Sequence, residues 1–101
     1  MKQTPKSDIR AFLLEKGIPP ENKGFRCAAI ALDLIFEDSE ILHNITRRLY
    51  PAVVRRVSSA SSEVNVLGVE RAIRYGICCS KTPTLSNSRF LATCYYELGG
   101  K

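Results

Sequence analysis

Glu70, Arg71 and Arg74 stand close together in the stretch GVERAIRYGI, residues 68 to 77, among the apolar Val69, Ala72, Ile73 and Ile77. Positions three and four apart share a face of a helix, so a helix sorts these charges from the apolar side chains. Two guanidiniums one turn apart can each donate two hydrogen bonds to the O6 and N7 of a guanine, and a carboxylate beside them can accept one from cytosine N4. The plainer reading is a solvated helix face on which Glu70 and Arg74, four apart, form an ion pair worth about 0.2–0.5 kcal/mol. Two further basic pairs, Arg47-Arg48 and Arg55-Arg56, precede this stretch. Such pairs can neutralise phosphates, although in isolation they are usually solvated surface.

Other chemistry-bearing residues do not converge in the same way. His43 is the sole histidine and follows Leu42 near the end of an apolar pattern, where a capping or surface role is expected. Asp33 and Glu37 share a helix face by spacing but read as solvent-facing acids. There is no glycine-rich phosphate loop and no metal-ligand spacing, so neither catalysis nor a cofactor or metal is expected. The cysteines are Cys27, Cys78, Cys79 and Cys94, and no two have the C-x-x-C spacing. Cys27 and Cys94 fall inside apolar helical patterns as small hydrophobes, and all four are expected to be reduced.

With 101 residues, 45% hydrophobic and 25% charged, the chain is sized for a single domain over residues 1–101 with one core. Its formal net charge is +5, divided unevenly: residues 1–40 hold six Lys/Arg against seven Asp/Glu, and residues 41–101 hold nine against three. A basic surplus confined to one part of a small domain suits an anionic partner, first nucleic acid and second a membrane surface. No run approaches a membrane-spanning length, and the first 20 residues lack the continuous apolar core of an export signal. The expected compartment is the cytoplasm.

The elements that must position the charged stretch are helical. Ser7 is placed as an N-cap, Ile9, Phe12 and Leu13 follow at helical spacing, and Gly17 with Pro19-Pro20 ends the segment. Phe25, Ala28, Ala29, Leu32, Ile35 and Phe36 form one face of what should be the central helix. Ser39, among Glu37, Asp38 and Glu40, reads as the cap of a shorter pattern, Ile41, Leu42, Ile45 and Leu49. Pro51 marks a new helix or a kinked continuation carrying Val53, Val54 and Val57 inward, and SSASS, residues 58 to 62, reads as a turn. A helix from about Asn65 to Cys78 and another from about Ser88 to Leu98 complete an all-α bundle of five to six helices.

A short helix rising from Pro51, a polar turn and a longer helix with hydrogen-bonding side chains outward read as a helix-turn-helix at about residues 51–79. In that motif the first helix braces the second, which enters the major groove.

Four stretches occur in a telling order: GIPPENKGF (17 to 25), ITRRLYP (45 to 51), VERAIR (69 to 74) and NSRFLA (87 to 92). Together they resemble the C-terminal effector domain of the stage-zero sporulation response regulator, the master transcription factor of endospore-forming Firmicutes. The likeness runs from about Asp8 to Leu98. It implies an all-helical domain that binds duplex DNA at a short box like TGTCGAA and regulates transcription, with RNA polymerase and a second copy on DNA as further partners. Carried over by position, Glu70, Arg71 and Arg74 match the recognition helix of that family, Tyr75 follows them, and Arg47, Arg48, Arg55 and Arg56 would flank it.

Three departures from the family pattern bracket this helix. Gly68 and Tyr75 replace an Arg before VER and a His after the second Arg, the spacer from Val57 to Val69 is longer, and CCSKTPTLS shortens the segment ahead of NSRFLA. The receiver domain of the full regulator has no counterpart in these residues, so phosphorylation control is expected to act through another chain. The rival expectation is a helical protein-interaction module that keeps the fold, has lost specific DNA binding, and uses Tyr75, Tyr95, Tyr96 or the vicinal cysteines at an interface.

Overall fold

The computed structural model describes residues 6–57 and 65–99, with side chains from Asp8 onward. Five α-helices follow in order: α1 (Lys6–Glu15), α2 (Lys23–Glu37), α3 (Tyr50–Val57), α4 (Val66–Cys79) and α5 (Asn87–Glu97). A 3₁₀ helix (Ser39–Asn44) and a π-helical turn (Ile45–Leu49) join α2 to α3. Among the described residues there is no strand, and no helix is long and apolar enough to cross a membrane.

α2 is the central element, as its apolar face predicts. Phe25, Cys27, Ala28, Ala31, Leu32, Leu34 and Ile35 are all buried, and α1, α3, α4 and α5 each pack against it. The core is completed by Ile9 and Leu13 from α1, Leu49 and Val53 around the start of α3, Val69, Ile73 and Ile77 from α4, and Phe90, Leu91 and Cys94 from α5. All four cysteines are free, with Cys27 and Cys94 buried and Cys78 and Cys79 exposed. Burial pushes the Cys27 thiol up and the Cys94 thiol up to about 12.

Helix ends show where local chemistry prevails. Gly17 ends α1 with a φ of +94°, the left-handed conformation a glycine adopts without strain. Asn22 caps α2 by accepting the Gly24 N–H at 2.7 Å, and Asn65 caps α4 by accepting the Gly68 N–H at 2.7 Å. Two expected caps move. Ser7 lies inside α1, which already begins at Lys6. Asp38, and not Ser39, accepts the Glu40 N–H at 3.2 Å and starts the 3₁₀ helix. Asp38 is the better placed because its extended backbone, φ −154° and ψ 94°, is that of a residue outside the helix.

The kinked continuation expected near Pro51 takes the form of the π turn. Pro51 has no N–H to donate to the carbonyl four residues earlier, and its ring crowds that carbonyl. Widening the preceding turn relieves both, and the Tyr50 N–H accordingly bonds to the Ile45 carbonyl, five residues back. The turn expected at residues 58–62 lies outside the described residues.

Candidate functional site

α4 is held by contacts from three sides, and each comes from a stretch remote in sequence. α2 approaches most closely. Gly24 and Gly76 bring the two backbones into contact, so that a Cβ on Gly24 would collide with the Ala72 carbonyl and lie 2.9 Å from the Gly76 nitrogen. Only glycine permits this crossing. Ile18, just after the first turn, also lies against Gly76.

On another side, Asn87 in the first turn of α5 donates from Nδ2 to the Tyr50 hydroxyl at 2.9 Å and to the Glu70 carbonyl at 3.0 Å. One buried amide therefore joins the starts of α3 and α5 to the middle of α4. Its Oδ1 has no hydrogen-bond partner. Burial raises the pKa of the Tyr50 phenol, the Asn87 hydrogen bond works against that rise, Glu70 adds to it and Arg74 opposes it. The C-terminal end of α4 is tied down as well: the Lys81 N–H bonds to the Lys16 carbonyl at 2.8 Å, and the Ser80 hydroxyl donates to the Ile77 carbonyl at 2.6 Å.

These constraints fix which way α4 faces. Val69, Ile73, Gly76 and Ile77 are its buried residues. At about 100° per residue, Arg71 stands about 180° from their mean direction, pointing straight away from the core. Leu67, Arg74 and Cys78 lie within about 60° of Arg71, with Tyr75 beside them and Glu70 at the margin nearest the buried stripe. Glu70, Arg71, Arg74 and Tyr75 are all exposed. Among the described residues no carboxylate lies in ion-pair range of Arg71 or Arg74, so the Glu70–Arg74 pair allowed by the spacing is not formed. Because Asn65 caps α4, Glu70 and Arg71 fall in its second turn and Arg74 in its third.

The preceding arginines divide into two kinds. Arg56 reaches α2, with one nitrogen 3.5 Å from Asp33 Oδ2 and another 3.3 Å from Glu37 Oε2. Arg48 lies 3.5 Å from Asp38 Oδ2. Arg47 and Arg55 are exposed and have no carboxylate partner among the described residues. Nothing in the sequence distinguishes the four, because the acidic end of α2 comes to lie beside two of them only in the fold.

Gly24, Tyr50, Gly76 and Asn87, the residues that orient α4, are not marked by the pattern of charges and apolar spacing. A signal was present: Gly24 falls in GIPPENKGF, Tyr50 in ITRRLYP and Asn87 in NSRFLA, and all three stretches converge on the helix containing VERAIR.

No group of three or more His, Cys, Asp or Glu among the described residues could hold a metal. What the arrangement offers is a rigidly backed helix with a hydrogen-bonding, cationic outer face. Fold and site together define an all-helical domain that presents the outer face of α4 to solvent. The family model for the C-terminal domain of the sporulation initiation factor Spo0A matches residues 9–87, and the chain belongs to that family. The family is one of DNA-binding transcription-factor domains and not of enzymes.

Proposed function

We propose that this domain binds duplex DNA sequence-specifically and regulates transcription, with α3 and α4 as a helix-turn-helix and α4 as the helix that enters the major groove. The observation that carries this reading is the outward face of α4, where Arg71 and Arg74 stand exposed and without acid partners among the described residues, in a chain of the Spo0A C-terminal family. In the groove Arg71 and Arg74 would donate to guanine edges, Glu70 would accept from a cytosine amino group, and Tyr75 would contact the backbone or a neighbouring base. Arg47 and Arg55 would neutralise phosphates. Arg48 would join them by leaving Asp38, at small cost because an exposed ion pair contributes about 0–1 kcal/mol, and Arg56 would join them only by also leaving the half-buried Asp33. The setting would be the cytoplasm, with a second copy on an adjacent half-site and RNA polymerase as partners and no enzymatic role.

A labelled duplex carrying the box TGTCGAA, titrated beside a scrambled duplex at several salt concentrations, tests the proposal. Box-dependent affinity with a steep salt slope supports it. Arg71→Ala and Arg74→Ala should each cost about 1–3 kcal/mol on the preferred duplex alone if they read bases. A loss equal on every duplex would make them phosphate contacts, and equal weak binding by the unaltered protein would sink specific reading. The second reading, a protein-interaction module, draws on the exposed Tyr75 and Tyr96, 61% and 59% accessible, and on the exposed Cys78 and Cys79, whereas Tyr95, also expected at such an interface, is buried in the core. It predicts affinity that is insensitive to duplex sequence.

A further inference from the structure

On the reading that α4 enters the major groove, we propose that Leu67 is a specificity-determining residue that selects a base pair carrying a C5-methyl group, a thymine in unmodified DNA. A single exposed leucine on a protein surface is ordinary, and Leu14 on α1 is another, 49% accessible. Leu67 differs by its place. It is 51% exposed in the first turn of α4, on the same outer stripe as Arg71 and Arg74. It is thus an apolar group at the N-terminal end of a cationic face, where a recognition helix makes its base contacts.

The neighbouring residues sharpen this. Gly68 is exposed and carries no side chain to cover Leu67. Its N–H is held by the Asn65 side chain, so the first turn of α4 is a capped helical turn on which Leu67 has a defined direction. A leucine can neither donate nor accept a hydrogen bond, so of the groups displayed in the major groove it can favour only the thymine methyl. Four residues of helix advance about 6 Å. At about 3.4 Å per base pair, Leu67 meets a base pair one to two steps from the one Arg71 reads.

Selection from a randomised duplex pool tests this, using the whole chain and the variants Leu67→Ala and Arg71→Ala, with melting of each variant as the control for folding. The unaltered protein should enrich a thymine that Leu67→Ala no longer prefers, while the positions lost in Arg71→Ala stay selected in Leu67→Ala. Replacing that thymine by deoxyuridine should weaken the unaltered protein about fourfold, the factor for one buried methyl-sized group, and leave Leu67→Ala unchanged. Identical selected sites for Leu67→Ala and the unaltered protein, or equal affinity for thymine and deoxyuridine, overturn the role of Leu67 while leaving DNA reading intact. No enrichment of any sequence by the unaltered protein overturns both, and is recognised by Arg71→Ala behaving as the unaltered chain does.

Discussion

Replacing Gly24 by alanine tests whether the crossing of α2 and α4 is what positions the outer face. The added Cβ would overlap the Ala72 carbonyl and lie 2.9 Å and 3.0 Å from the Gly76 nitrogen and Cα. All three obstacles are backbone, so no side chain can turn aside and the helices must separate. Overpacking of this kind costs about 3 kcal/mol, and the better helix propensity of alanine returns at most about 1 kcal/mol. The net loss is about 2 kcal/mol, or a fall in melting temperature of about 8–16 °C for a domain of this size.

The partner glycine provides the control. A Cβ on Gly76 would meet Gly24 at 3.4 Å and Ile18 Cγ2 at 3.6 Å, ordinary contact distances. Gly76→Ala should therefore leave the fold intact and add about 0.5–1 kcal/mol from the reduced backbone freedom of the unfolded chain. Urea unfolding followed by circular dichroism reads both variants. Equal effects of the two substitutions, or a more stable Gly24→Ala, would refute the claim that the approach of α2 to α4 is limited at Gly24.

Asn87→Ala removes the donor that serves both Tyr50 and the Glu70 carbonyl, and should destabilise by about 1–3 kcal/mol, with Tyr50→Phe costing about 1 kcal/mol and less in an Asn87→Ala background; a double-mutant cycle in urea decides whether the two residues are coupled. Stability should fall as pH rises above the ordinary thiol range of about 9, because Cys94 stays protonated in the folded protein up to about 12 while the unfolded chain ionises and gives up its proton. Over that window the folded state binds more protons, so the slope is negative, and Cys94→Ala should flatten it in unfolding titrations between pH 8 and about 11. In the native protein a thiol reagent should modify the exposed Cys78 and Cys79 quickly and spare Cys27 and Cys94 until denaturant is added; rapid reaction of all four would contradict the burial of the two core thiols.

All five helices are legible in the sequence, most clearly at residues 25–36 and 66–77, because an amphipathic pattern is a local property that any helical backbone turns into one face. The same holds for the stop at Gly17 and for the exposure of Arg71 and Arg74, which follows from Val69, Ile73 and Ile77 facing the core. Helix ends were less legible, since Asp38 and Ser39 are both good caps and only the backbone angles separate them.

Contacts between elements were not legible at all. That Asn87 would reach Tyr50, 37 residues away, and Glu70, 17 away, depends on how α3, α4 and α5 pack, and no periodicity encodes it. The pairing of Arg56 with Asp33 and Glu37 arises in the same way from the packing of α3 on α2. Sequence alone thus determined which side chains α4 can show to solvent, because side-chain direction on a helix repeats with the local backbone. Only the tertiary structure decided how that face is aimed and which nearby arginines are already paired, because the first depends on the close approach at Gly24 and the buried Asn87 amide, and the second on the packing of α3 and the π turn before it against the acidic end of α2.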